Sequence, residues 1–175
     1  MGSAAAQKLH RELNEQIAPL TEAIEKQAKQ MADVQLLMTH PGVGPITALV
    51  FVLTVLRAER FASNKHLASY LGLVPRERSS GGRQRLGSIT KQGSPMMRAL
   101  LVEAGQSAAR WEPELRQDYT RLAHKKNRSI AKVMVARKLA VRLYWMLKTK
   151  QPYTRVCSHA GQPESCCGRG KRSTP

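Results

Sequence analysis

The chain has 175 residues, room for one compact domain with an appendage or for two very small domains. Apolar residues make up 42% but aromatics only 5%, so the core should be Leu, Val, Ile, Met and Ala, which suits packed helices better than an all-β sandwich. With 29 Lys and Arg against 12 Asp and Glu the net charge is +17, a field that favours a polyanionic partner.

The charge is segregated. Residues 1–35 carry 4 basic and 5 acidic side chains, residues 75–98 carry 6 and 1, and residues 121–150 carry 10 and none. The longest apolar run, Ile46 to Leu56, is too short to cross a bilayer, and no signal peptide is visible. Cys157, Cys166 and Cys167 all lie near the C-terminus and imply no disulfide framework. A cytoplasmic protein is expected.

From Ala4 to Met38 the pattern predicts helix. Leu13, Ile17, Leu20, Ile24, Met31, Val34 and Met38 follow heptad-like spacing, with Gln27 in one apolar slot. Residues 1–38 therefore read either as a coiled coil that sets a homo-oligomer or as a long helix packed on its own domain. Pro19 should kink this helix or mark a restart. His40 to Pro45 then breaks it, and Ile46 to Leu56 predicts an apolar helix. Ser63 is a predicted N-cap for a helix over Asn64 to Leu71. Val74 to Thr90 is rich in Arg, Ser and Gly and reads as a turn or short β-hairpin. Ser94-Pro95 starts a helix to about Arg110, Glu112-Pro113 starts another to about His124, and Ser129 is placed as the cap of a last helix to about Lys150. Residues 39–150 form the expected main domain, and residues 151–175 a disordered tail.

Three stretches could meet phosphate. In Pro41-Gly42-Val43-Gly44-Pro45 the glycines permit a tight turn, and the following helix start offers free N–H groups. This resembles the turn of a helix-hairpin-helix motif; the alternative is a Gly/Pro turn between core helices. The second stretch, Arg76 to Arg85, sets arginines on both sides of Ser79-Ser80-Gly81-Gly82, as a phosphate-binding loop would. A serine there could attack a phosphodiester if its proton were removed; a flexible turn is the alternative. In the third, Lys91 precedes the capped helix at Ser94, although the Gly and Lys spacing of a P-loop is absent. Cys157, His159, Cys166 and Cys167 match no standard zinc spacing. No cluster of Asp and Glu suggests a two-metal nuclease, so no metal site is expected within the chain.

These stretches occur together and in order. Pro41-Gly42-Val43-Gly44-Pro45-Ile46-Thr47-Ala48, Arg60-Phe61, Leu67 to Glu77, Ser80-Gly81-Gly82, Leu86 to Gly93 and Met97 to Ala104 resemble the insertion-sequence one-hundred-ten family of transposases, the bridge-RNA-guided serine recombinases. The likeness covers roughly residues 35–145. It implies a C-terminal transposase domain that follows a coiled coil and a resolvase-like domain whose carboxylates hold Mg2+. It also implies a serine that attacks DNA to form a phosphoserine intermediate. The serine before Gly81-Gly82 makes Ser80 the candidate nucleophile, with Ser79 as fallback. Arg76, Arg78, Arg83 and Arg85 would steady the phosphate, and Gly42, Gly44 and Lys91 would contact the backbone. The metal-binding domain has no counterpart in this sequence, so the serine is expected to need a partner domain. The partners expected are DNA, a guide RNA and a second copy of the chain. A non-catalytic nucleic-acid-binding module or a transposase remnant is the alternative.

Overall fold

The computed structural model describes residues 2–77 and 86–153. Within them the fold is mainly α, as the composition predicts. In chain order the elements are α1 (Gly2–Gln30), α2 (Ala32–Met38), α3 (Pro45–Val55), a 3-10 turn (Ala58–Arg60), α4 (Asn64–Tyr70), β1 (Pro75–Glu77), β2 (Leu86–Ile89), α5 (Pro95–Trp111), α6 (Pro113–Lys125) and α7 (Arg128–Thr149).

The helix predicted over Ala4 to Met38 is two helices, and the restart falls after Met31 rather than at Pro19. Pro19 lies inside α1, whereas Met31 is extended at φ −101°, ψ 110°. This extended residue re-aims the chain so that Val34 and Leu37 of α2 enter the core beside α3. The apolar seam is divided accordingly. Leu9, Leu13, Ile17 and Leu20 are exposed on α1, while Ala28, Val34 and Leu37 are buried.

Local signals set most of the other boundaries. Ser63 Oγ accepts from His66 N to cap α4, and Ser94 Oγ accepts from Met97 N to cap α5. Pro95 and Pro113 each occupy a helix first turn, where an N–H is not needed. The cap of α7 differs from expectation. Asn127 makes it, its side chain accepting from Ser129 N, because Asn127 is extended and Ser129 is already helical.

α7 is the hub of the bundle, packing against α5, α6, α4 and α2. It buries Val135, Ala136, Leu139, Ala140, Leu143, Tyr144 and Leu147. Small residues let it approach α5 closely: a Cβ on Gly105 would lie 3.2 Å from the Ala136 backbone nitrogen. The Tyr144 hydroxyl donates to the Phe61 carbonyl at 3.0 Å, so the buried phenol is satisfied.

A polar clamp closes the bundle's edge. Glu112, at the α5–α6 junction, is buried and accepts from Arg142 of α7, which also reaches Glu114 at 2.9 Å. His40 is buried beside it, its Nδ1 bonded to the Pro41 carbonyl at 2.9 Å. Its Nε2 faces Glu112 Oε1 at 3.4 Å. Burial lowers the His40 pKa below its usual value and outweighs the pull of Glu112. Tyr153 covers the cluster, its ring centroid 4.4 Å from that of His40 and its amide donating to Thr39 Oγ1. Burial, then the neighbouring Glu112 carboxylate, pushes the Tyr153 phenol up to about 12.

Candidate nucleic-acid interface

The β-hairpin stands on a braced base. β1 and β2 are antiparallel, with Pro75 opposite Ile89 and Glu77 opposite Leu86. Two steps on β1 thus match three on β2, a bulge that twists the ribbon. At its foot two backbone segments cross almost without side chains between them. A Cβ on Gly72 would fall 2.2 Å from the Gln92 carbonyl oxygen, and one on Gly93 would fall 2.3 Å from that of Tyr70. Both glycines hold positive φ, +67° and +72°.

Arg98, on the first turn of α5, locks this crossing. Its Nη1 donates to the carbonyls of Gln92, Gly93 (3.1 Å) and Leu71 (3.5 Å). Arg76 Nη2 donates across the ribbon to the Thr90 carbonyl at 3.2 Å. Arg76 therefore has a structural partner as well as an exposed position. Arg78, Ser79, Ser80, Arg83 and Arg85 lie outside the described residues.

Lys91 sits at this foot in the left-handed region, φ 58°, its amide donating to the Gly72 carbonyl at 3.2 Å. A residue with a Cβ pays about 1 kcal/mol or more for that conformation, and such strain concentrates at functional positions. Lys91 is exposed and has no ion-pair partner among the described residues.

The two glycines of the Pro41–Pro45 turn have different surroundings. Gly42, φ +86°, backs onto α5: a Cβ there would lie 2.4 Å from Ala108 N and 3.0 Å from the Ala104 carbonyl oxygen. Its side-chain face is used for packing. Gly44 has nothing within 4 Å of its Cβ position and is exposed. It is the N-cap of α3 and supplies no side-chain cap, so the first-turn amides of Ile46 and Thr47 have no capping acceptor.

The structure sorts the ten basic side chains of 121–150. Arg121 and Lys138 pair with Asp118, Arg142 with Glu112 and Glu114, and Lys150 with Asp33. Lys148 lies 5.7 and 5.3 Å from the Tyr144 and Trp145 ring centroids. Lys125, Lys126, Arg128, Lys132 and Arg137 have no ion-pair partner among the described residues. The first three flank the α6–α7 turn. Arg128 is in the first turn of α7, where the helix dipole disfavours a cation and no acid offsets it. Fold stability does not explain a cation there.

Among the described residues no three His, Cys, Asp or Glu side chains group closely enough to hold a metal ion. They offer no donor set for the Mg2+ that the resemblance implies. No helix among them is long and apolar enough to cross a membrane. Cys157, His159, Cys166 and Cys167 lie outside the described residues.

The family model described as Transposase IS116/IS110/IS902 matches residues 34–120, from the middle of α2 into α6. The chain belongs to this transposase family. The matched segment holds the Pro41–Pro45 turn and the hairpin with its braced foot. A probable family 20 transposase of Pseudomonas aeruginosa is 32% identical, over 79% of this chain and 42% of that protein. The transposase for insertion sequence element IS1111A of Coxiella burnetii is 35% identical, over 55% and 27%. That for IS1328 of Yersinia enterocolitica is 32% identical, over 74% and 41%. The transposase-family chain thus spans less than half the length of these relatives.

Sequence reasoning missed Arg98 and the Gly72–Gly93 crossing. A signal existed for both. Gly72 follows an amphipathic helix directly, the position where a left-handed glycine ends a helix. Arg98 interrupts the run Pro95-Met96-Met97 to Leu101 at an otherwise apolar helix start.

Proposed function

We propose that the chain is a DNA-binding domain of a transposase, acting in DNA transposition and recombination, with Ser80 as nucleophile. The observation that carries the DNA-binding part is the set of unpaired cations, Lys125, Lys126, Arg128, Lys132 and Arg137, which follow directly on the family-matched segment 34–120. Phosphates would bind these cations by charge, and the uncapped start of α3 at Gly44 by hydrogen bonds. Neither contact reads bases.

Ser80 belongs to the segment joining β1 to β2, and Lys91 and Arg98 stand at the foot of that hairpin. In the reaction proposed, Ser80 Oγ attacks a DNA phosphorus and a phosphoserine bond forms. A P–O bond of the backbone breaks, the departing strand takes up a proton, and the hydroxyl proton leaves to a base. Arg78, Arg83 and Arg85 would share the phosphate charge. A partner domain would supply the metal chemistry. The exposed ridge Leu9, Leu13, Ile17 and Leu20 supports pairing of α1 with a second copy.

The test is a covalent-adduct assay with labelled DNA, magnesium and guide RNA, with and without a resolvase-like domain in trans. The natural chain with that domain should give an adduct that survives denaturation, and Ser80→Ala should lose it while binding DNA nearly as before. Salt-sensitive binding with no adduct in any mixture would favour a non-catalytic binding module, for which the unpaired cations suffice.

A further inference from the structure

A groove of about 440 Å³ opens between β2, α5 and α7, directly beside the hairpin's foot. That volume is within the roughly 300–1,000 Å³ of small-molecule sites. Its walls are aliphatic: Leu73, Ile89, Val102 and Val133. Its polar edge is Lys91, Glu103, Gln106 and Arg98, whose Nη1 is already engaged with the carbonyls of the crossing. Gln106 Nε2 donates to the Val102 carbonyl at 3.3 Å, which leaves its Oε1 as an acceptor. Glu103 is exposed and, among the described residues, has neither an ion pair nor a hydrogen bond. Lys91 is likewise unpaired and is held in its left-handed conformation by the bond to Gly72. Arg137, one helical turn beyond Val133, is a second unpaired cation on the same flank of α7.

The geometry points to a pocket for an unstacked nucleobase. The inference rests on the nucleic-acid-binding reading above and names what that surface would take. A base offers two flat apolar faces to the aliphatic walls. Its exocyclic amino group, present in cytosine, adenine and guanine, donates to the Glu103 carboxylate or Gln106 Oε1. The phosphate that every base carries meets Lys91, and the next one meets Arg137. An apolar protein side chain would fill the walls but leave Lys91 and Glu103 unmatched. Thymine lacks the amino group and offers Glu103 only its N3–H, flanked by two carbonyl oxygens that repel the carboxylate, so it is disfavoured. The strain at Lys91 then has a purpose, since a glycine would hold the same backbone without strain but would bring no cation to the mouth of the groove.

The probe is a short single strand with one 2-aminopurine, whose fluorescence is quenched by stacking and rises when the base leaves the stack. Among the described residues the groove's walls hold no aromatic ring to quench it. Binding the full chain should raise the emission severalfold. Ala99→Phe fills the groove from an exposed position on α5 and should abolish the rise. Lys91→Gly should weaken binding and shrink the rise, with a melting temperature equal to or above that of the natural chain. Deoxyribose and ribose probes run side by side identify which strand supplies the base. An equal rise in Ala99→Phe, with folding confirmed by its melt, overturns the pocket alone. Failure of the natural chain to bind either strand at about 50 mM salt overturns both the pocket and the reading beneath it.

Discussion

Gly42 and Gly44 are two residues apart and face opposite demands. Gly42 combines a positive φ with a neighbouring backbone at 2.4 Å, so Gly42→Ala must move α5 or the turn. A loss of about 2–3 kcal/mol in urea unfolding is expected, typical of strain and overpacking. Gly44→Ala meets open space at φ −89° and should cost less than about 1 kcal/mol, because Ala is only a poorer N-cap than Gly. Its added methyl would instead crowd a phosphate at the α3 amides, so DNA affinity should fall more than stability. Equal stability losses at the two sites would show that the packing of Gly42 is misdescribed. The sequence made both glycines legible as turn residues. It could not separate them, because which one backs onto α5 depends on contacts some sixty residues away.

The polar clamp makes its prediction between elements. Arg142→Ala would leave Glu112 buried without its guanidinium, a change that typically costs about 3–5 kcal/mol. Unfolding by urea at neutral pH measures this, and a cost below about 1 kcal/mol would show that the clamp is solvated. His40 adds a pH dependence. Its folded pKa lies below the unfolded value of 6.5, so the unfolded chain takes up the proton first. Stability from this group is complete above pH 6.5 and is lost as pH falls from there through the folded pKa. His40→Gln should be less stable at pH 7.5 but flatter between pH 7.5 and 5.5; an unchanged slope would mean that another group titrates. Helix starts in this fold were legible, because Ser63, Ser94, Pro95 and Pro113 act within four residues. The clamp was not, since His40, Glu112, Arg142 and Tyr153 meet only after α2, α5, α6 and α7 pack. The restart at Met31 escaped for the same reason: it is fixed by where Val34 and Leu37 find the core.

At the scale of the whole molecule the +17 charge resolves into two populations. Arg121 is matched by Asp118 within α6, while Lys138 and Arg142 of α7 are matched by Asp118, Glu112 and Glu114 and tie α7 to α6 and the α5–α6 junction. Lys125, Lys126, Arg128 and Lys132 are unmatched among the described residues, and Arg128 opposes its own helix dipole. Composition predicted a nucleic-acid partner, but only the fold distinguishes a cation free to meet phosphate from one already paired. The exposed α1 ridge belongs to this scale too. Leu13→Glu with Leu20→Glu should shift the chain to a lower oligomer in sedimentation without lowering its melting temperature, since neither residue touches the core. An unchanged sedimentation coefficient would count against pairing through α1.

The most direct measurement is the salt dependence of DNA affinity for three proteins: the natural chain, the quadruple Lys125→Ala, Lys126→Ala, Arg128→Ala, Lys132→Ala, and Arg121→Ala as a paired-cation control. With roughly 6–10 phosphate contacts the natural chain should lose about 10³–10⁵ in affinity between about 50 and 200 mM salt. The quadruple variant should bind more weakly, its log–log slope reduced by up to about 0.9 per contact removed, while Arg121→Ala keeps the natural slope. A flat response in the natural chain, or the same slope in all three, would contradict the account.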